Sequence, residues 1–286
     1  MTTKKQNQLD IEYSESLKIV METYQEIAAS RMQHVRTSVI SSRDFLLSIN
    51  IVFQQVKSSY KTNNLPAGRQ GLPKKNFIKY NGKTIFILIS ANTGLYGDII
   101  ARTFDLFAKE IRKEQGDIAI IGRVGLKQFQ EAFPKRNFMY FELSDDKIDL
   151  ETLKKIIPHL IQYEKVLVFY QQFQNIISSQ PIITSVSGDI LPMDKIDSGI
   201  KYVFEPSLDK VMEFFEQQIS GSIFEQTVYE SQLAKFSSRM VALDKATENI
   251  QKNLKQIMLQ KERIKHQAIN KEQNQRLASM RLWTTK

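Results

Sequence analysis

The chain has 286 residues, 42% of them hydrophobic and 25% charged, with a formal net charge of +9. That length holds one large domain or two ordinary ones, and the composition is that of a foldable, soluble chain. It contains no cysteine, which excludes disulfides, a thiolate nucleophile and thiolate metal sites and fits a reducing compartment.

From about residue 10 to 60 the chain lacks proline and glycine. Apolar residues recur there at four-three spacing as Tyr13, Leu17, Val20, Tyr24 and Ile27. The pattern weakens at Arg31 and Ser38 and resumes as Leu46, Ile49, Phe53, Val56 and Tyr60. This predicts a long helix with a coiled-coil stripe, roughly 75 Å long at about 1.5 Å per residue. The stretch "KTNNLPAGRQGLPKKN" then reads as a loop, from its prolines and glycines.

The period changes next. "KTIFILIS" (83–90), "DIAIIG" (117–122) and "NFMYFEL" (137–143) are short apolar runs expected as buried strands. Between them, "GLYGDIIARTFDLFAKEIRKEQG" and "LKQFQEAF" read as helices. "DLETLKKIIPHLIQY" is a helix that Pro158 kinks or shortens, and "KVLVFYQQF" and "QPIITSVS" follow as strands. Strand alternating with helix predicts a mostly parallel α/β layer domain.

After Pro206 a helical pattern runs to about Trp283, with Gly221 as an expected interruption near its start. Its stripe is Tyr229, Leu233, Phe236, Met240, Leu243, Ile250, Leu254, Ile257, Ile264 and Ala268, with Thr247 and Lys261 filling the two gaps. A period of 3.5 residues is the seam of a left-handed coiled coil, and so narrow a stripe needs a partner. The first helix is the candidate partner. About 75 residues of helix span roughly 110 Å, more than a globular domain of this size, so the expected architecture is an antiparallel coiled-coil rod with a Rossmann-like α/β domain inserted. The expected segments are 1–60 for the first shaft helix, 61–83 for a linker loop, 84–204 for the α/β domain and 205–286 for the second shaft helix.

Few features carry chemistry. From Arg239 to the end there are eleven Lys and Arg against four Asp and Glu; such a basic helix suits nucleic acid, an anionic membrane surface or an acidic partner, or is a solvated face. No signal peptide is visible, and no apolar run approaches the roughly 18 residues of a membrane span. "GKT" (82–84) resembles the end of a phosphate loop, yet it precedes the strand and position 77 is Phe. "GLYG" (94–97) lies where phosphate loops occur, but as a tight strand–helix turn it needs no ligand. Asp145 and Asp146 read as a turn and cap. The histidines His34, His159 and His266 show no metal-ligand spacing, and no catalytic triad or carboxylate pair stands out. Two readings follow from these features alone: a nucleotide-binding α/β protein, or a coiled-coil adaptor for nucleic acid or membrane.

A family resemblance runs through nearly the whole chain. "EIAASRM" (26–32), "ISANTGLYGDI", "VFYQQFQNIISSQPIITSVSGDILP", "YVFEPS" (202–207) and "RMVALDKATENI" (239–250) resemble, in order, motifs of the gamma subunit of rotary F-type ATP synthases. Departures include Asn92-Thr93 where the family has Asp-Arg, Tyr96 for Cys, Lys265-His266 for Arg-Gln, Asn270 for Thr, and an apparent "LPAGRQG" insertion. The resemblance implies a central-stalk rotor, non-catalytic and without cofactor or metal, in a proton- or sodium-translocating complex. Its implied partners are a ring of three alpha and three beta subunits, the epsilon subunit and the c-ring, with no nucleic acid. Its implied place is peripheral, on the cytoplasmic face of the cell membrane. By resemblance, Arg239, Lys265, His266, Asn270 and Glu272 contact the beta subunits, and Gly94, Leu95, Tyr96 and Gly97 dock the c-ring and epsilon.

Overall fold

The computed structural model describes residues 4–64, 80–146, 148, 150–186, 205 and 207–284. The "LPAGRQG" loop, the "SGDILP" end of the third motif and most of "YVFEPS" lie outside the described residues.

Five strands form one sheet: β1 (Thr84–Ile89), β2 (Asp117–Ile121), β3 (Met139–Phe141), β4 (Lys165–Phe173) and β5 (Ser179–Ser185). Their order is β3-β2-β1-β4-β5. The first four are parallel and β5 returns antiparallel to β4. Buried on both faces, β1 and β2 read as unbroken apolar runs rather than alternating ones. On one face α2 (Ile99–Lys113) and α3 (Arg123–Ala132) bring Phe107, Ile111 and Phe129 onto Phe86, Leu88, Ile120 and Phe169. On the other, α4 (Leu150–Ile161) brings Leu153, Ile156 and Leu160, and α5 (Leu208–Thr284) brings Phe224 and Val228, onto Ile85, Ile87 and Val168.

Local chemistry moves three boundaries. The helix expected from "GLYG" onward begins only at Ile99, because Leu95 (φ 67°) and Gly97 (φ 62°) take left-handed backbone that no right-handed helix contains. Pro158 does not break α4, which ends three residues later at Ile161. Gly221 does not interrupt α5: a single glycine is tolerated inside a helix at a cost of about 1 kcal/mol, and an added Cβ there would meet Ile157 Cγ2 at an ordinary packing distance of 3.4 Å.

Together with α5, α1 (Lys4–Asn64) contributes to two compact units, one of Met1–Ala28 with Met240–Lys286 and one of Ala29–Arg239. In the first unit Lys261 Nζ donates to Gln8 Oε1 (2.7 Å) and Gln25 Nε2 to Asp244 Oδ1 (3.5 Å). Going from 8 to 25 on α1 goes from 261 back to 244 on α5, so the helices are antiparallel. The α5 seam is the expected one as far as Ile264: Leu243, Thr247 and Leu254 are buried and Ile250, Ile257, Lys261 and Ile264 half-buried, while Ala268, expected to continue it, is exposed. The α1 seam is not. Tyr13 is 66% exposed and Val20, Tyr24 and Ile27 are also exposed, while Ile11, Ser14, Leu17, Met21, Gln25 and Ala28 face inward. The true stripe is shifted by one position, about 100° around the helix. Ser14, Gln25 and Ala28 share it with Ile11, the expected Leu17 and Met21, so apolar spacing alone points to the larger residues beside it.

In the second unit the pairing is again antiparallel. Val35 and Val39 of α1 pack with Leu233 and Phe236 of α5, and Phe53 and Val56 with Met212 and Ile219. Leu46, Phe53 and Val56 are buried and Ile49 half-buried, as the spacing predicts, while Tyr60 lies beyond the described side chains.

Candidate functional site

The strand order reverses at β1, with β2 on one side and β4 on the other. In open α/β sheets the crevice outside the strand C-termini at such a point is where ligands bind. Here α5 fills it with its own side chains.

The centre is a buried ion pair. Lys235 Nζ lies 3.0 Å from Asp145 Oδ1, with side-chain exposures of 8% and 5%. Lys235 also donates to the carbonyl of Ser90 at the end of β1 (3.1 Å). The second oxygen, Asp145 Oδ2, accepts from the backbone amides of Asn92 (2.7 Å) and Thr93 (2.9 Å) and from the Thr93 hydroxyl (3.1 Å). Asn92 Oδ1 accepts from the Arg123 amide at the start of α3, and Asn92 Nδ2 donates to Leu143 O. Burial alone would raise the Asp145 carboxyl; the Lys235 ammonium and the two amides outweigh it and hold the carboxyl below its usual range. Burial pulls the Lys235 ammonium below its ordinary value, against the opposing pull of Asp145.

Four further residues of α5 extend this grip. Ser231 Oγ donates to Gln171 Oε1 (2.6 Å), and that buried amide donates in turn to Ile89 O and Thr103 Oγ1. Gln232 Nε2 donates to Asp145 O (2.9 Å). Ser237 Oγ donates to Ile176 O (2.6 Å) in the β4–β5 turn. Arg239 Nη2 donates to Thr93 Oγ1 (2.8 Å) and Gly94 O (2.9 Å), and its guanidinium lies 4.0 Å over the Tyr96 ring.

The expected site residues are therefore distributed. Gly94 lends a carbonyl to Arg239, Gly97 supplies left-handed backbone, and Tyr96 is buried at 2% exposure beneath Arg239. Of that turn only Leu95, at 53%, offers a side chain outward. Arg239 belongs to the unit with the sheet. Lys265, His266, Asn270 and Glu272 lie in the other, all exposed on α5, with Glu272 accepting from Arg276 (2.7 Å). Asn92, Thr93, Asp145, Ser231, Gln232, Lys235 and Ser237 are the residues that sequence reasoning missed.

Burial pushes the Tyr96 phenol up to about 12 from 10.0, with the Thr93 hydrogen bond opposing and the Asp145 charge adding. The folded state favours its neutral form, so this contribution is complete below pH 10 and is lost as pH rises toward 12. Ultraviolet titration of tyrosinate should show Tyr96 ionising after the exposed tyrosines. Burial raises Tyr170 as well, so Tyr96→Phe should remove one tyrosine from the late component and leave the rest, and a late component unchanged in Tyr96→Phe would contradict the packed turn.

Among the described residues no group of three or more His, Asp or Glu is placed to hold a metal, and no helix is long and apolar enough to cross a membrane. A family model described as ATP synthase matches residues 5–273. The chain is 26% identical over 260 residues to an ATP synthase gamma chain of Pelotomaculum thermopropionicum, covering 86% of this chain and 87% of that one. It is 22% identical over 298 residues to the gamma chain of Chloroherpeton thalassium, covering 95% of each. The fold is similar to a chain in the central stalk and c-ring structure of the Tetrahymena thermophila mitochondrial ATP synthase, with a TM-score of 0.54 at 16% identity over 79% of this chain and 99% of that one. A chain of the Euglena gracilis mitochondrial enzyme gives a TM-score of 0.51 at 11% identity, covering 88% and 94%. With the match spanning almost its whole length, the chain belongs to the family of ATP synthase gamma chains, the rotor of the enzyme's central stalk.

Proposed function

We propose that the chain couples proton or sodium flow through a c-ring to ATP synthesis in an alpha/beta ring, and that it makes and breaks no bond itself. The observation that carries the non-catalytic part is the filled switch point. The crevice in which an α/β protein would seat a nucleotide holds Lys235 and Arg239 of the chain's own α5.

On this reading the exposed Lys265, His266, Asn270 and Glu272 meet the beta subunits, and the chain sits peripherally on the cytoplasmic face of the membrane. The docking expected of Gly94, Leu95, Tyr96 and Gly97 on the c-ring and epsilon rests, in side-chain terms, on Leu95. A lysine at 265 keeps a positive charge but not the two-pronged geometry of an arginine.

The chain has no native cysteine, so single cysteines test these contacts cleanly. In a complex purified with the alpha and beta subunits, Lys265→Cys should crosslink to beta and Leu95→Cys to epsilon or the c-ring. A Leu95→Cys crosslink to beta would move that contact to the catalytic ring and leave the rotor reading standing. A chain that fails to co-purify with alpha and beta, or that hydrolyses ATP alone at the rate of the whole enzyme, overturns the reading.

A further inference from the structure

We infer that the polar residues of α5 between 230 and 239, keyed by the Asp145–Lys235 pair, form the fixed joint that stops α5 from rolling against the α/β domain under torque. This rests on the rotor reading and adds to it the residues through which the domain is made to turn with the helix.

The inference comes from where the contacts lie around the helix. At about 100° per residue, Ser231, Lys235, Arg239 and Gln232 fall within a sector about 100° wide. Their partners are the β1 end and the loops after it, the Asp145 loop and Gln171 of β4. Ser237 and Glu230 lie on the other side, about 240° and 260° round from Ser231. Ser237 is held by the β4–β5 turn. Glu230, 3% exposed, accepts from Arg43 Nη2 of α1 (2.6 Å) and from the Tyr170 hydroxyl of β4 (3.2 Å). The domain therefore grips this stretch of α5 from two sides.

Apolar packing alone would not do this. Burial of apolar surface is non-directional: it resists lifting α5 off the sheet, but a small roll exchanges one greasy contact for another. Hydrogen bonds weaken steeply as they bend, so contacts on opposite sides of the axis oppose rolling in either sense. The Thr93 hydroxyl bridges the two charged arms, accepting from Arg239 and donating to Asp145. Asp145 is the hub, since both of its carboxylate oxygens and its backbone carbonyl are engaged.

The test uses the assembled, membrane-embedded enzyme. The double variant Asp145→Asn/Lys235→Met removes both charges together, which avoids leaving either one buried alone; buried pairs replaced in this way often keep or gain stability. The expected result is a split. ATP hydrolysis persists, ATP-driven ion pumping is partly lost, and a probe on the α/β domain shows wider angular fluctuation when the catalytic ring is stalled. Lys235→Arg, which keeps the charge, should recover part of the pumping. If the double variant does not assemble, Thr93→Val together with Ser237→Ala removes one hydroxyl from each side and should give the same split. Unchanged fluctuation and pumping in the assembled variant would overturn the joint while leaving the rotor reading intact. Failure of the unaltered chain to rotate would overturn the rotor reading itself.

Discussion

Asp145→Ala should cost about 3–5 kcal/mol of folding stability, the scale seen when one partner of a buried ion pair is removed. Lys235 would be left with the Ser90 carbonyl alone in a site from which water is excluded, and the amides of Asn92 and Thr93 would lose their acceptor. The neighbouring Asp146→Ala is the control. Its side chain is 59% exposed and pairs with Arg31 at the surface, so its loss should cost only ~0–1 kcal/mol. The two substitutions remove the same group one residue apart, and burial together with the buried partners of Asp145 separates their outcomes. Acid titration sharpens the contrast. The Asp145 carboxyl is held below the ordinary aspartate value of 3.8, so its contribution is present at neutral pH and is lost as pH falls through and below that value. Asp145→Ala lacks this contribution at every pH, and its stability should change less across the acid range. Equal urea midpoints for Asp145→Ala and Asp146→Ala would remove the pair from the list of what holds the domain to α5.

How much of this was legible in the sequence depended on whether a signal was local. The nine residues of "KVLVFYQQF" are β4 to the residue, because the buried middle of a central strand, Val166 to Tyr170 here, is an apolar run wherever it sits. The α5 seam was legible over ten turns, because its partner surface asks for Leu and Ile at a fixed period. The α1 seam was legible from Leu46 to Val56 but not in its first half, where Ser14, Gln25 and Ala28 share it with Leu17 while Tyr13, Val20 and Tyr24 face away. Apolar spacing reports greasy residues, and there several of the greasiest are not the packed ones. The joint was hidden for a different reason. Asp145 and Lys235 are 90 residues apart, and each alone reads as a turn carboxylate and a solvated helix lysine. One clue was present: "SQLAKFS" (231–237) mixes Ser, Gln and Lys with Leu, Ala and Phe on all sides of a helix. All seven residues are buried. A polar residue inside an all-round buried turn must have a partner, but naming that partner required the strand order, which no residue in the chain declares.

Phe236→Ala should cost about 3–5 kcal/mol, the usual scale for emptying a fully packed aromatic site. Phe236 is 0% exposed and lies with Val35, Val39 and Leu233, where Met32 and Phe173 also pack. Three elements meet on it: α1, α5 and the end of β4 that leads into the turn held by Ser237. Collapse around the missing ring is hindered because each element is tied elsewhere, α1 through Arg43 to Glu230 and the turn through its own backbone bonds to Asn175. The cavity should therefore stay open rather than close, which places the cost in the upper part of that range. Phe214, on the same helix but 57% exposed, gives the comparison. Its replacement by Ala should fall within ~0.5 kcal/mol, as surface changes usually do. Because Phe236 backs the turn that Ser237 grips, the same variant should also free that turn, so that the amides of Ile177 and Ser178 exchange faster with solvent. A cost below ~1 kcal/mol, the scale of removing a single methylene, together with unchanged amide exchange in the turn, would mean that α1, α5 and the hairpin are held by their polar contacts and not by a shared core.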